Sequence, residues 1–292
     1  MQFYIVDVFA QTKYNGNQLA VFTDIDALAN EQMQRIAKEM NYSEITFIVA
    51  NDVREDGYDV RIFTPAQEIP FAGHPTLGTA YIIAQAIINK PVETVNLNLQ
   101  VGQIPVSLHY SNGDVECLWM QQKQPTFHNK FTADAIAPIL NLNTEYIDTN
   151  FPIQEVSTGL PFIIVPVNKL AAIKKIKVNK DLYFDLVNTT EAKSILVFCP
   201  ETYNQENNLN VRVFCDYLGV PEDPATGSAN GCLAGYLVEY SYFGTDSIDI
   251  RVEQGYEIGR NSLLLLKAQK KDTKIDVFVG GKVIMVAKGE FV

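Results

Sequence analysis

The stretch Val220-Pro-Glu-Asp-Pro-Ala-Thr-Gly-Ser-Ala-Asn230 decides how the rest of the chain is organised. The segment before it, 211–214, has the composition of a strand, and residues 229–240 after it form an apolar helix pattern. A helix start carries unpaired N–H groups and a partial positive charge, so this turn is suited to hold an anionic group. A capped helix with a proline-rich approach is the alternative interpretation of the same residues.

The composition predicts a soluble globular protein with one large domain or two. The chain has 292 residues, of which 47% are hydrophobic and 20% are charged. Its net charge of -11 and its scattered basic residues argue against nucleic acid and anionic membranes as partners. No apolar run is long enough to span a bilayer, and the first residues predict a strand, not a signal peptide.

The cysteines and histidines do not form a recognisable metal or disulfide pattern. The four cysteines are widely spaced without a CxxC pair, and the three histidines lie apart from them. We therefore expect no metal site and reduced, buried thiols in the cytoplasm. Neither GxxxxGK[ST] nor GxGxxG occurs, so the sequence predicts no nucleotide cofactor.

The first half of the chain predicts strands around one buried helix. Residues 76–88 are apolar on nearly every side, which is typical of a helix in the middle of a domain. Residues 31–40 have one apolar stripe and predict a surface helix. Strand patterns surround these helices at residues 2–8, 19–22, 44–50, 59–63, 94–99, 104–110 and 115–121.

Several short sequence segments of the first half recur in the second half. Arg61-Ile-Phe63 with Ile69-Pro70 recurs 151 residues later as Arg212-Val-Phe214 with Val220-Pro221. Residues 43–47 resemble 194–198 at the same offset, and residues 16–21 resemble 159–164. Four matches in the same order predict a duplicated architecture. The alternative is that the segments are similar because α/β proteins often use similar strand-turn-helix sequences.

If the halves are duplicated, pseudo-twofold pairing would point both buried helices into one cleft. Such a cleft suits a small ligand that bears a carboxylate. The titratable residues are not repeated: at the offset of 151, Glu44 falls on Ile195 and Asp223 falls on Ala72. Packing gives little reason for this difference, whereas one active site with different groups on its two walls does.

Several motifs together resemble the phenazine-biosynthesis-like (PhzF-like) family, from one end of the chain to the other. The most specific are Gly73-His-Pro-Thr76 and Glu222-Asp-Pro-Ala-Thr-Gly-Ser228. Further matching residues are Asp7-Val-Phe9, Gly16-Asn17, Glu44-Ile-Thr-Phe47, Phe63-Thr-Pro65, Glu68, Ser157-Thr-Gly159, Val211-Arg212, Phe214, Gln254-Gly255, Gly259-Arg260 and Val279-Gly-Gly281.

The resemblance implies a diaminopimelate-epimerase-like fold of the α/β (α+β) class. In that fold two pseudo-symmetric halves each have a curled, mostly antiparallel sheet around a central buried helix. We expect the halves to comprise residues 1–124 and 125–292, with a strand at about 282–292 returning to the first half. The family also implies a homodimer that uses no cofactor.

The resemblance further implies an isomerase that moves a proton in a small carboxylate-bearing substrate, with a double-bond or keto–enol shift. In the namesake enzyme a glutamate moves a proton within a dihydro-hydroxyanthranilate ring. The matching residues are Glu44 as general acid/base and His74 and Asp223 as its partners. Substrate would be bound at Gly73, Gly227 and Ser228. A binding or regulatory protein on the same scaffold is the alternative, but a pure binder would not need all three titratable residues.

Physical chemistry adds expectations for these side chains. To move protons near neutral pH, Glu44 should have a pKa above the usual value of about 4.3, which burial would produce. A helix N-terminus disfavours the charged form of His74 and favours the ionised form of Asp223. Neither turn offers a thiol, so the two-cysteine chemistry of related epimerases is not expected.

Overall fold

The computed structural model describes residues 1–25 and 28–292. The chain divides into two compact units, the first formed by Met1–Gln121 with Gly280–Val292 and the second by Gln122–Val279. None of the helices in the described part of the chain has both the length and the apolar character needed to cross a membrane.

The described residues form eighteen strands. In chain order they are β1 (Gln2–Val8), β2 (Asn17–Thr23), β3 (Ile45–Ile48), β4 (Tyr58–Phe63), β5 (Glu68–Ile69), β6 (Thr94–Leu99), β7 (Gly102–Ser111), β8 (Asp114–Gln121), β9 (Thr126–Phe131), β10 (Ile153–Ser157), β11 (Pro161–Pro166), β12 (Ile195–Cys199), β13 (Leu209–Cys215), β14 (Val220–Asp223), β15 (Ser247–Gln254), β16 (Ser262–Lys271), β17 (Lys274–Gly281) and β18 (Val283–Glu290).

Helices occupy the connections between these strands. The α-helices are α1 (Asn30–Met40), α2 (Gly73–Ile82), α3 (Ala133–Ile136), α4 (Leu170–Lys175), α5 (Lys180–Val187) and α6 (Gly227–Glu239). A π-helix at Ile83–Ile88 continues α2. Short 3-10 turns lie at Thr144–Tyr146, Asp216–Leu218 and Tyr256–Ile258.

In the first unit the strands pair mostly in antiparallel fashion. Strand β1 lies between β18 and β2, β3 pairs with β4, and β4 pairs with β5. Strands β6, β7 and β8 form a meander. The two parallel pairs are β2 with β3 and β4 with β6, and each is joined by a connection that contains a helix.

The second unit has the same order of pairings. Strand β10 pairs with β9 and with β11, β12 pairs with β13, β13 pairs with β14, and β15 pairs with β16, all antiparallel. The parallel pairs are β11 with β12 and β13 with β15. The series from β1 to β7 is therefore matched, pair for pair, by the series from β10 to β16.

Each unit contains one helix that is buried along its length. Of the α2 residues only Tyr81 is not buried, and α6 is buried from Ala229 to Val238. Helix α2 packs against β1, β2, β3, β6, β7 and β8, and α6 packs against β10, β11, β15 and β16. A helix without a polar face is stable only in such surroundings, which confirms the prediction of buried helices.

Both helix starts differ from the sequence-based expectation. Helix α2 begins at Gly73 and not at residue 76, and α6 begins at Gly227 and not at residue 229. Proline is tolerated in the first turn of a helix because its missing N–H would have no partner there, so Pro75 does not delay the start. As a result, His74 lies inside the first turn of α2.

The approach of α2 to its sheet requires a residue without a side chain at Gly78. A Cβ atom there would lie 2.5 Å from Leu19 Cδ2 and 2.9 Å from Val8 Cγ2. Such distances are shorter than van der Waals contact, so a larger residue would force the helix and the sheet apart. Gly78 therefore sets how close the helix that carries His74 comes to β1 and β2.

Candidate active site

Glu44 is the residue immediately before β3, and its side chain is 20% exposed. Strand β3 is buried throughout and is held between β2 and β4. It is also tied to α2, because the hydroxyls of Thr46 and Thr79 form a buried hydrogen bond of 2.8 Å. The start of β3 thus has a fixed position relative to the helix that begins at Gly73.

The structure brings Glu44 and His74 together. The Nε2 atom of His74 lies 3.7 Å from Oε2 of Glu44, and the His74 side chain is only 5% exposed. Two residues thirty positions apart in the sequence therefore share one site at the N-terminus of a buried helix. This is the pairing that the family resemblance implies for the first unit.

The imidazole of His74 is neutral. Burial lowers its pKa from 6.5 to about 3, although a hydrogen bond to the Gln18 backbone acts in the opposite direction. The Glu44–His74 separation is within ion-pair distance, but a neutral imidazole cannot form an ion pair at neutral pH. The expectation of a neutral His74 agrees with this geometry. The principal cause of the lowered pKa is desolvation of the ring by burial.

The hydrogen bond to Gln18 also decides which ring nitrogen carries the proton. Nε2 is buried and finds no hydrogen-bond partner among the described residues, so the bond to the Gln18 carbonyl is made by Nδ1–H. In the neutral ring, Nε2 is then an acceptor, and it faces a carboxyl oxygen. At 3.7 Å the two atoms are not hydrogen-bonded, and Nε2 could accept a proton donor that comes closer, either a protonated Glu44 or a donor group of a substrate.

The lowered pKa of His74 predicts a specific dependence of stability on pH. As the pH falls from 6.5 towards 3, the unfolded chain gains a proton on this residue while the folded chain does not, so unfolding is favoured. The cost is about 1.4 kcal/mol for each pH unit within that window. Urea unfolding from pH 7 to pH 4.5 should therefore show a shallower loss of stability for His74→Asn than for the wild type.

The matched control for this measurement is His128→Asn, the same substitution at an exposed histidine. If His74→Asn and wild type lose stability in parallel between pH 7 and pH 4.5, the imidazole is not held neutral in the folded protein.

The first turn of α2 offers backbone donors beside this pair. The N–H groups of Gly73 and His74 precede the first intrahelical bond, which runs from Thr76 N to the Ala72 carbonyl over 3.3 Å. The Thr76 hydroxyl donates to the same carbonyl over 2.7 Å and so does not act as an N-cap acceptor. The site can therefore present two backbone N–H groups to an anionic ligand.

The remaining predicted site residues lie in the second unit, around the start of α6. Asp223 ends β14 and is half-buried, Gly227 is buried as the first helical residue, and Ser228 is half-buried beside it. The hydroxyl of Thr226 donates a hydrogen bond of 2.5 Å to Asp223 Oδ2. Asp223 is thus held directly at the N-terminus of a buried helix, where the helix dipole stabilises a negative charge.

Glu222, next to Asp223, has a structural role. Both of its carboxylate oxygens accept hydrogen bonds from Arg212, over 2.9 and 2.6 Å. Arg61 and Glu68 form the same two-bond contact in the first unit, over 2.8 and 2.6 Å. In both units this contact ties together the two strands that precede the buried helix.

The strand register corrects the alignment of the two halves by one residue. Ile45 pairs with Phe63 in the first unit, and Ile195 pairs with Phe214 in the second, so Ser194 and not Ile195 occupies the place of Glu44. The offset of 151 places His74 on Ala225, whereas counting from the helix starts makes Ser228 the equivalent residue. The acid and the imidazole still have no counterparts in the second unit.

Two of the buried thiols are poorly suited to nucleophilic chemistry, because burial disfavours the thiolate. Burial raises the pKa of Cys232 to about 11 and that of Cys199 to about 12. Across residues 1–25 and 28–292, no group of three or more His, Cys, Asp or Glu side chains has a geometry that could hold a metal ion.

Comparison with known proteins identifies the family. A family model described as "Phenazine biosynthesis-like protein" matches residues 6–289. The chain belongs to this family. Its relative in Pseudomonas chlororaphis, trans-2,3-dihydro-3-hydroxyanthranilate isomerase, is 34% identical over 293 residues, which cover 99% of each chain. The protein is therefore an isomerase of the phenazine-biosynthesis-like family, and the predicted family and enzyme class are confirmed.

Solved structures show the same fold. The PhzF-family phenazine biosynthesis protein of Bacillus anthracis superposes with a TM-score of 0.90 at 27% identity and covers 100% of this chain and 99% of its own. A probable proline racemase of Agrobacterium radiobacter has a TM-score of 0.63 at 10% identity, covers 100% of this chain and 92% of its own, and shows the fold alone. The predicted mixed α/β, epimerase-like class is confirmed.

Sequence reasoning missed the groups that hold the site in place. The carbonyl of Gln18 fixes the His74 tautomer, and the Thr46–Thr79 pair joins β3 to α2. Gln18 follows Gly16-Asn17, and the sequence marks this segment only as a family motif and as part of the internal repeat. A backbone carbonyl has no sequence signal, so only the fold could identify this contact.

Proposed function

We propose that this protein isomerises a small carboxylate-bearing compound of the type named for its Pseudomonas relatives, trans-2,3-dihydro-3-hydroxyanthranilate, with Glu44 as the proton carrier. The observation that carries the proposal is the contact between Glu44 Oε2 and the acceptor nitrogen of a buried, neutral His74. A carboxyl group is the proton-transferring partner in this pair, because the imidazole does not become charged at neutral pH.

The reaction requires only one proton and no net change in composition. The Glu44 carboxylate takes a proton from a ring carbon, the double bonds shift, and the resulting carboxylic acid returns the proton to another carbon. His74 Nε2 accepts a hydrogen bond from the carboxyl proton or from a substrate donor during this exchange. The backbone N–H groups of Gly73 and His74 are suited to a carboxylate of the substrate.

We propose supporting roles for the residues at the start of α6. Asp223 assists the proton transfer or orients the substrate, and Gly227 and Ser228 contact the substrate through backbone and hydroxyl groups. The support is the family motif together with the position of all three at the N-terminus of a buried helix. The carboxylate substrate class, the homodimer and the cytoplasmic location stay predictions.

Solvent deuterium tests the proposed function. Trans-2,3-dihydro-3-hydroxyanthranilate is incubated with the protein in D₂O, and mass spectrometry and NMR follow its conversion. A carboxyl proton exchanges with solvent, so we expect an isomerised product with deuterium at the newly protonated carbon. Tight binding of the compound without conversion or exchange, equal for wild type and Glu44→Gln, would instead identify a binding protein.

A further inference from the structure

The buried amide of Gln254 holds the turn that contains Asp223. Gln254 ends β15 and is 0% exposed. Its Oε1 accepts hydrogen bonds from the Thr226 backbone N–H over 3.1 Å and from Asn230 Nδ2 over 2.9 Å. Its Nε2 donates to the Asp223 carbonyl over 2.8 Å and to Thr226 Oγ1 over 2.9 Å. Both amide atoms are therefore committed to the turn between β14 and α6.

The orientation of this amide has only one solution. The Thr226 backbone N–H is a donor only, and the Asp223 carbonyl is an acceptor only. Oε1 of Gln254 must face the first and Nε2 must face the second. Thr226 is the N-cap residue of α6, and its hydroxyl accepts no bond from the first turn. The Gln254 amide accepts from the Thr226 backbone N–H, which is the bond that a Glu or Gln three residues into the helix makes in a capping box.

This orientation also sets the direction of the Thr226 hydroxyl. The hydroxyl oxygen accepts from Gln254 Nε2, and its own proton is directed to Asp223 Oδ2 over 2.5 Å. The result is a one-way series of donors from Gln254 through Thr226 to Asp223. Oδ2 is the acceptor at the end of this series, so the series determines which carboxylate oxygen of Asp223 faces Thr226.

The backbone after Gln254 closes against the same turn. Gly255 has φ +79, and a Cβ atom there would lie 2.6 Å from the Pro224 carbonyl oxygen and 2.4 Å from that of Arg260. Only glycine fits this conformation and this spacing. The Gln254-Gly255 pair therefore supports the turn through its side chain and its backbone, from a strand twenty-four residues beyond Asn230.

We propose that Thr226 and Gln254 are positioning residues for the isomerisation and act by aiming the Asp223 carboxylate. The inference rests on the proposed function of Asp223, and its local geometry lies wholly within the second unit. Neither residue contacts the reacting atoms in this assignment. Their effect on the reaction passes through the position of one carboxylate, and small displacements of such groups have large effects on rate.

Thr226→Val and Thr226→Ser separate positioning from packing. Valine keeps the shape and removes the hydroxyl, whereas serine keeps the hydroxyl and removes a methyl group. With trans-2,3-dihydro-3-hydroxyanthranilate as substrate, we expect Thr226→Val to lower kcat by about 10- to 100-fold with little change in KM. Thr226→Ser should recover most of the lost kcat. Thr190→Val, in which another half-buried threonine loses a hydroxyl bonded to a backbone carbonyl, is the matched control and should keep wild-type kinetics.

Crystal structures of the same variants decide the point without turnover. In Thr226→Val we expect the Asp223 carboxylate to leave its position while Gln254 and α6 stay in place, and in Thr226→Ser we expect it to remain. An unmoved Asp223 in Thr226→Val, or a serine variant as impaired as the valine variant, would overturn the proposal. A wild-type protein that does not convert the compound would contradict the proposed function alone, because the crystal structures still test the positioning. If Thr226→Val does not fold, Thr226→Ala carries the same comparison.

Discussion

Glu44→Gln is expected to fold like the wild-type protein and to lose turnover of trans-2,3-dihydro-3-hydroxyanthranilate by at least about 10³-fold, within the range that general acid–base catalysis supplies. Glutamine has nearly the shape of glutamate and keeps a hydrogen-bonding group opposite His74 Nε2. It cannot take up and release a proton as a carboxyl group does. Steady-state kinetics and the deuterium experiment should therefore both show the loss.

The control for this substitution is the same change at an exposed position. Glu39 lies on the solvent side of α1, and Glu39→Gln should leave kinetics and stability unchanged. Circular dichroism and urea unfolding should show that Glu44→Gln is folded, because its side chain is 20% exposed and carries no part of the core. A folded Glu44→Gln protein with wild-type turnover would rule out Glu44 as the proton carrier.

The parts of the fold that could be predicted from sequence are those with a strong local pattern. The apolar runs that became α2 and α6 predict buried helices, since no other position suits a helix without a polar face. Their starts were misplaced by two or three residues. The tight turns before them contain Gly73 and Gly227, which sequence patterns assign to the turn and the structure assigns to the helix.

The candidate site was predictable only in part, because some of its contacts join segments that are far apart in the sequence. Glu44 and His74 were found because they belong to recognisable motifs and have no counterparts in the other half. Gln254 was recognised only as a motif residue, because its amide acts on a turn from which it is separated by the whole of α6. Contacts of this kind depend on which strands are neighbours in the sheet. A local pattern in one sequence does not predict which strands are neighbours.

The one-residue error in aligning the halves has a physical explanation. Ser43-Glu-Ile-Thr-Phe47 and Ser194-Ile-Leu-Val-Phe198 match in letters, but β3 and β12 begin at Ile45 and Ile195. Both strands are buried throughout, so burial does not distinguish the two registers. The strand pairing does, because Ile45 pairs with Phe63 and Ile195 pairs with Phe214. The comparison of sequence letters is correct about the repeat and wrong about which residue of the second half is equivalent to Glu44.

Arg212→Met is expected to lower the free energy of unfolding by about 3–5 kcal/mol, the cost of leaving a buried charge without its partner. The Arg212 side chain is 9% exposed, and Glu222 and Glu257 beside it are 10% and 11% exposed. Arg212 also donates to the Ile173 and Ile176 carbonyls, at the C-terminal end of α4, over 2.9 and 3.2 Å. Methionine would fill part of the space but would leave the Glu222 carboxylate and two carbonyls without this donor, and it would remove the positive charge 4.0 Å from Glu257. Urea unfolding at pH 7 measures the loss.

The internal repeat supplies the matched variant, Arg61→Met. Arg61 makes the same two hydrogen bonds to a glutamate and lies 5.1 Å from the ring of Phe63, as Arg212 lies 4.9 Å from that of Phe214. However, the Arg61 and Glu68 side chains are each 24% exposed, so water can replace part of the lost contact. We expect a loss of about 1–2 kcal/mol, between the values for exposed and buried pairs. We attribute the difference between the two losses in free energy of unfolding to burial, since the hydrogen-bond geometry is shared. Equal losses for the two variants would contradict this explanation. The double variant Arg212→Met/Glu222→Leu also removes the carboxylate that Arg212→Met leaves unpaired. It should recover part of the lost free energy of unfolding, which would show that the unpaired charge causes the loss.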